Sequence, residues 1–198
     1  MKPGDSSSQT SSARSEQLAT RLAAVNLAEF ATGLAADPQA EAVWSEYSEA
    51  ALYVALVEDT DRSAEVRFAA ALMLKSHGAM ADPAMTARVF AVALQRDFAG
   101  YAYPWGRLWA GGDALGLLGG TFVEIGRPAV PALTALLGDT TPRDTYLGSE
   151  EATDMAMRRY RVKDFAGYYL ARIIGVDLPY EQDLDRRDAA ITALRAKL

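Results

Sequence analysis

The sequence contains no cysteine and only one histidine, His77. The lack of cysteine excludes disulfides, thiolate nucleophiles and cysteine-based zinc sites. With one histidine, a Ser-His-Asp unit could use only His77, and a metal site built from several histidines is impossible. We therefore expect no catalytic residues, no metal site and no cofactor.

The sequence also lacks an apolar run near the ~20 residues that span a bilayer, and it lacks an excess of positive charge. Its formal net charge is -6 and its pI is about 4.9. An acidic chain has no general positive field to attract a phosphate backbone, so we expect no nucleic acid partner.

Residues 1–14 form a Ser-rich polar segment, which predicts a disordered tail. One interpretation is an ordinary flexible terminus. The other is the tether of a lipoprotein whose signal and lipidated cysteine have been removed. The first leaves a cytoplasmic location open, and the second predicts an envelope-tethered protein.

Apolar residues recur at helical spacing through residues 15–198, which predicts a single all-α domain. Ser63 and Asp82-Pro83 are typical of helix N-termini, and glycines stand near several predicted ends. TFVEIG at 121–126 is the one candidate strand, and it fits a helix end equally well. The predicted helices are approximately 15–34, 39–58, 63–77, 83–95, 104–118, 126–137, 150–174 and 185–198.

Two stretches, Ala51–Gly78 and Arg127–Gly175, follow the same order of features. Each has an apolar helix, an acidic turn, a second helix that opens with a Val/Arg or Val/Lys pair, and a closing glycine. A weaker copy joins 83–95 to 105–119. The second helices begin about 42 and then about 53 residues apart, against the ~40–47 residues of HEAT-class repeats.

The best-matching motifs are Glu65-Val66-Arg67 with Ala69-Ala70-Ala71, and Pro128-Ala129-Val130-Pro131-Ala132-Leu133 after Gly126. In these motifs the chain, over about residues 39–174, resembles the HEAT-repeat family in its short bacterial form. The resemblance implies a short, irregular α-α solenoid of about three HEAT-like helix pairs, with additional N- and C-terminal helices. An irregular α-α bundle is the structural alternative.

An aromatic stretch with glycines beside it is the most unusual part of the sequence. Tyr, Trp and Arg are enriched at binding hot spots, which makes the stretch a candidate partner-binding surface. Alternatively, two tryptophans four residues apart form the buried side of the fifth predicted helix. The candidates are Tyr101, Tyr103, Trp105, Arg107 and Trp109.

Arg158, Arg159, Arg161 and Lys163 form a basic cluster in the otherwise acidic chain. The cluster could contact an acidic partner or a phosphate. It could equally be the solvated face of the long helix 150–174, paired with acidic residues of the same helix. Residues 140–154 before it are long for a connection between helices, and such loops often carry function.

The first functional hypothesis is a non-catalytic module that binds or scaffolds another protein through the exposed aromatic and arginine residues. The second is a nucleic-acid-acting enzyme of glycosylase type, since the HEAT resemblance includes such proteins. It would use Trp105, Trp109, Arg107 and Asp113. The third is an immunity or inhibitor protein whose acidic surface blocks a basic partner. The sequence specifies neither the partner nor the oligomeric state.

Overall fold

The computed structural model describes residues 6–32, 37–100, 103–109, 115–143, 153 and 156–198, with the backbone alone for 6–11 and 103. The predicted all-α class is confirmed, because the described residues contain helices and no strand. None of the described helices is long and apolar enough to cross a bilayer. The helices are α1 (Ser6–Leu22), α2 (Leu27–Thr32), α3 (Pro38–Glu46), α4 (Ala50–Glu58), α5 (Ala64–Ser76), α6 (Pro83–Arg96), α7 (Gly116–Ile125), α8 (Val130–Ala135), α9 (Val162–Ile174) and α10 (Leu184–Arg195), with 3-10 turns at Tyr103–Trp105 and Arg127–Ala129.

Two predicted helix starts are confirmed by their capping bonds. The Ser63 hydroxyl accepts a hydrogen bond from the backbone N–H of Val66 at 3.3 Å. The Asp82 carboxylate accepts one from Met85 at 2.8 Å, and Pro83 occupies the first helical position. Each bond satisfies one of the N–H groups that a helix start leaves without a partner.

Two predicted helices are interrupted, and one of them also begins earlier than predicted. The predicted helix 15–34 is divided between α1 and α2, and 39–58 between α3 and α4. α1 begins at Ser6, so it includes residues 6–14 of the predicted tail; residues 1–5 lie outside the described part. Three ion pairs join this helix to the rest of the chain: Arg14 to Glu49 at 3.0 Å, Arg21 to Glu46 at 3.3 Å, and Glu16 to Arg62.

The predicted position of the fifth helix, residues 104–118, is wrong. Only a 3-10 turn forms around Pro104, and Gly106 and Trp109 follow with φ values of 106° and 58°. Two left-handed residues within four positions are incompatible with a continuing right-handed helix. The helix instead begins at Gly116, and TFVEIG forms its end.

The prediction of one long helix over residues 150–174 is also wrong, because the helical conformation is interrupted near the centre of this range. Arg159 has a φ of 48° and Arg161 is extended, so α9 begins only at Val162. An antiparallel bridge joins Arg161 to Pro142, with the Arg143 N–H donating to the Tyr160 carbonyl at 2.8 Å. This pairing with residues 141–143 replaces helical hydrogen bonds.

The helices of the two clearer predicted pairs are in contact, since α4 packs on α5 and α8 on α9. In the weaker pair, α6 packs on α7, which begins at Gly116 and so replaces the predicted second helix. α5 and α9 are the central helices of the core. Seven consecutive residues of α5, Phe68–Leu74, are buried, as are ten consecutive residues of α9, Val162–Ala171. Helices buried all round lie inside a core, so these two stretches form the centre of the packing.

The Arg143 side chain connects the start of the segment that leads toward α9 to the C-terminal end of α6. Its guanidinium is buried and donates to the carbonyl of Leu94, at 2.9 Å from Nε and 2.7 Å from Nη2, and to the carbonyl of Gln95. It therefore satisfies the carbonyl groups that α6 leaves at its C-terminus, where a cation is also favoured by the helix dipole.

We expect Arg143→Ala to lower the free energy of unfolding by about 2 kcal/mol, because buried carbonyls lose charge-assisted hydrogen bonds. Urea denaturation followed by circular dichroism measures the change. Arg127→Ala is the control, since Arg127 is exposed, and we expect less than about 0.5 kcal/mol from it. Equal effects of the two substitutions would contradict the capping role.

Candidate functional site

The structure brings Trp109, from the predicted aromatic stretch, to the C-terminal tyrosines. Its ring centroid lies 5.9 Å from that of Tyr160, 5.2 Å from Tyr168 and 5.6 Å from Tyr180. The Trp109 indole Nε1 donates a hydrogen bond of 2.6 Å to the carbonyl of Leu178. These contacts join segments about 50 to 70 residues apart in sequence into one aromatic cluster.

The backbone of Trp109 is left-handed, which a bulky residue rarely adopts. Arg159, another predicted site residue, has the same kind of conformation. Only one further non-glycine residue of the described chain, Asp97, has a positive φ. Such strain persists where surrounding contacts enforce it and is common at functional sites. Here the aromatic cluster and the Leu178 hydrogen bond hold Trp109 in place.

Arg187 lies among these rings, with 1% of its surface exposed. Its guanidinium carbon is 5.8 Å from the ring centroids of Trp109 and Tyr160, and 5.2 Å from that of Tyr180. Asp164 accepts from its Nη1 at 3.2 Å. Cation–π contacts of a desolvated arginine are worth about 2 kcal/mol, so Arg187 holds the aromatic cluster together from inside.

Burial also determines the protonation state of the Tyr160 phenol. It raises the pKa of Tyr160 to about 12, because the charged form would be poorly solvated. The hydroxyl donates to the carbonyl of Leu108. Tyr160 therefore stays a neutral donor at physiological pH and serves the structure of the cluster.

A cavity of about 280 Å³ opens beside Trp109. Tyr168 forms a second wall, and Arg172 lies 5.3 Å above the Tyr168 ring and donates to its hydroxyl at 3.1 Å. Arg172 and Asp177 are both exposed, and they place opposite charges on the rim. The cavity, which we call the Trp109 cleft, is lined by Trp109, Tyr168, Ala171, Arg172, Val176, Asp177 and Leu178.

Two residues that the sequence predicted to bind a partner are buried, and the prediction is corrected for both. Trp105 is 0% exposed and packs in the core against Phe68 and Phe122, so it is not available to a partner. Arg161 is buried and its guanidinium pairs with Asp164 and Asp188. It cannot be part of a solvated basic surface.

The other predicted residues whose side chains are described do not line the cleft. Arg158 lies 5.1 Å above the Tyr180 ring, at the edge of the aromatic cluster. Arg159 is exposed and Arg107 half-buried, and neither lines the cleft. Tyr101 lies outside the described residues, and only the backbone of Tyr103 is described.

Of the residues that line the cleft, only Trp109 was predicted from the sequence. Tyr168 and Arg172 are four residues apart on α9, a spacing that places them on one helix face, and this signal was available. Val176, Asp177 and Leu178 lie in the irregular segment after Gly175, where no local pattern marks them.

The described residues contain no group of three or more His, Asp or Glu side chains able to hold a metal ion. Comparisons of the chain with protein-family models, with curated proteins and with solved structures find no match. The geometry and charge of the molecule itself are therefore the basis for its function.

Charge is distributed unevenly along the chain. Residues 1–62 contain ten acidic and four basic side chains. The net charge of this segment is therefore -6, which equals the net charge of the whole chain. The remaining residues hold equal numbers of acidic and basic side chains. The Trp109 cleft, built from residues 109–178, belongs to the electrically balanced part.

Proposed function

We propose that this protein is a non-catalytic recognition module, built on a short stack of HEAT-like helix pairs, and that it binds a segment of another protein in the Trp109 cleft. The observation that carries the proposal is the cleft itself, where a strained tryptophan and an exposed arginine flank a cavity of about 280 Å³. Tryptophan, tyrosine and arginine are the residues most enriched at binding hot spots.

The lining of the cleft suits a peptide. Ala171, Val176 and Leu178 offer apolar surface for a side chain. At the rim, Arg172 can donate to a carbonyl oxygen, and Asp177 can accept from an N–H group. A peptide group carries both, so one bound segment satisfies both rim charges while its side chain enters the cavity.

The test uses the rim, because Arg172 and Asp177 are exposed and their replacement leaves the core intact. We expect Arg172→Ala and Asp177→Lys each to weaken partner binding about 5- to 30-fold, the range of a residue worth 1–2 kcal/mol at an interface. Affinity capture from cells of the source organism, quantified by mass spectrometry, identifies the partner. Titration of the purified partner then measures the change.

The matched controls are Arg96→Ala and Asp61→Lys, which change the same charges at exposed positions outside the cleft. Thermal melting of all four variants checks that they fold. A partner that binds the rim variants and the controls equally would overturn the assignment of the cleft.

An immunity or inhibitor role is the second candidate, supported by the concentration of net negative charge in residues 1–62. It requires a basic partner bound at α1–α4, with affinity that falls steeply with salt. Substitution of the exposed Glu29 and Glu41 by lysine would then weaken binding, while the cleft variants would not. The glycosylase-like alternative loses support, since the buried Trp105 cannot stack on a base.

A further inference from the structure

A second cavity, of about 150 Å³, is lined by residues from 60 to 92 and lies between the turn after α4 and helices α5 and α6. Its floor is apolar and its rim carries two arginines. We call it the Arg88 groove. It is lined by Thr60, Ala64, Arg67, Met85, Arg88, Val89 and Val92.

Neither arginine of the groove has a carboxylate partner among the described residues. Arg67 donates from Nε to the carbonyl of Val57 at 3.0 Å, and from Nη2 to the Met85 sulfur at 3.1 Å. Arg88 is exposed and forms no ion pair in the described part of the chain. Both charges are thus available to a ligand.

This availability is unusual, because the chain has 26 acidic against 20 basic side chains. Acidic residues are close in sequence: Asp61 and Glu65 are exposed and flank Ala64, but neither lines the groove. The Met85 thioether is only a weak acceptor for Arg67. The guanidinium of Arg67 is therefore fixed in place by its bonds while its charge remains uncompensated.

The floor restricts what an anion bound here can carry. Met85, Val89 and Val92 contribute aliphatic and thioether surface to the same cavity as the two arginines. A fully hydrated phosphate would leave this surface exposed, whereas an aliphatic chain would cover it. A cavity of about 150 Å³ is large enough for a ligand of about six carbon atoms.

We propose that the Arg88 groove binds a carboxylate carried on a short aliphatic chain, with the carboxylate between Arg67 and Arg88 and the chain on the apolar floor. Arginine forms forked, charge-assisted hydrogen bonds with carboxylates, which suits it to this role. Two sources present this chemistry: a free aliphatic acid, and the C-terminal leucine of a peptide. The site is separate from the Trp109 cleft and does not depend on the proposed function.

The experiment is a titration of the ¹⁵N-labelled full chain, followed by NMR, with 4-methylpentanoate and with an acetylated tetrapeptide that ends in leucine. The corresponding amides are the neutral controls. We expect saturable shifts at Ala64, Arg67 and Val92 with an acid, and binding at least about tenfold weaker with its amide. Saturation by the free acid identifies the small molecule as the source, and saturation by the peptide alone identifies a chain terminus.

Arg88→Ala is the decisive variant, since an exposed side chain without an ion pair can be removed without unfolding the domain. We expect it to weaken binding of the acid about tenfold, because one charge-assisted contact is lost. Arg96→Ala, on the same helix but outside the groove, should bind as the unchanged protein does. Absence of saturation with both acids, equal binding of acids and amides, or equal binding by Arg88→Ala and Arg96→Ala would overturn the proposal.

Discussion

Replacing Asp164 by alanine is expected to lower the free energy of unfolding by about 3–5 kcal/mol, since removing one partner of a buried ion pair leaves the other charge uncompensated. Asp164 is 0% exposed. It accepts hydrogen bonds from the Arg161 backbone N–H at 2.9 Å, from Arg161 Nε at 3.1 Å and from Arg187 Nη1 at 3.2 Å. One substitution thus leaves Arg187 without its carboxylate, reduces Arg161 to its pair with Asp188, and removes the cap of α9.

The matched control is Asp188→Ala, which removes a carboxylate from the same network at a more exposed position. Asp188 accepts from Arg161 at 2.6 Å and pairs with Lys163 at 2.9 Å, and 38% of its side chain is exposed. Solvent screening reduces the value of such a pair to about 1 kcal/mol. Urea denaturation of both variants measures the difference. A loss for Asp164→Ala no larger than that for Asp188→Ala would contradict the central role of Asp164.

The network also links stability to pH. Burial raises the pKa of Asp188, but the hydrogen bonds from Arg161 and Lys163 outweigh burial and hold it below its ordinary value. A carboxyl whose pKa is lowered by folding stabilises the folded state above its unfolded pKa. That contribution is lost as the pH falls through the lower folded value, so the pH dependence of unfolding below about pH 4 should weaken in Asp188→Ala.

Asp164 connects this network to the Trp109 cleft through Arg187. The guanidinium of Arg187 bonds to Asp164 on one side and lies over the Trp109 ring on the other. Loss of Asp164 should therefore release Trp109 as well as destabilise α9. A change in tryptophan fluorescence under conditions where the Asp164 variant is still folded would measure this effect.

The features predicted correctly from sequence are those that a few neighbouring residues determine. Ser63 and Asp82 cap their helices because their side chains reach an N–H three residues later, whatever the rest of the molecule does. The pairing of α4 with α5 was also predictable, since a short acidic turn joins two apolar helices. Local chemistry was sufficient in both cases.

The incorrect predictions involve contacts between distant residues. Arg161 has a sequence environment typical of a helix, but residues 141–143 pair with its backbone and end the helical ladder there. Trp109 has a helical spacing from Trp105, but the two rings belong to different environments: the first to the C-terminal tyrosines, the second to the core. No pattern within one segment carries that information.

Replacing Gly119 by alanine is expected to destabilise the protein by about 3 kcal/mol. A Cβ at this position would lie 2.5 Å from the Tyr169 hydroxyl oxygen and 2.6 Å from the Trp105 carbonyl oxygen. These two atoms are themselves joined, since the Tyr169 hydroxyl donates to the Trp105 carbonyl. Overpacking costs about 1–3 kcal/mol, and disturbing a buried hydrogen bond adds a comparable amount.

The neighbouring residue provides the control. A Cβ at Gly120 would meet no atom within 4 Å, and Gly120 lies inside α7. Alanine restricts the unfolded chain more than glycine does, so Gly120→Ala should stabilise the protein by about 0.5–1 kcal/mol. Two substitutions of the same chemistry, one residue apart, thus have opposite expected signs. Differential scanning calorimetry measures both, and a melting temperature that rises for both would show that α7 does not approach Trp105 as closely as this packing requires.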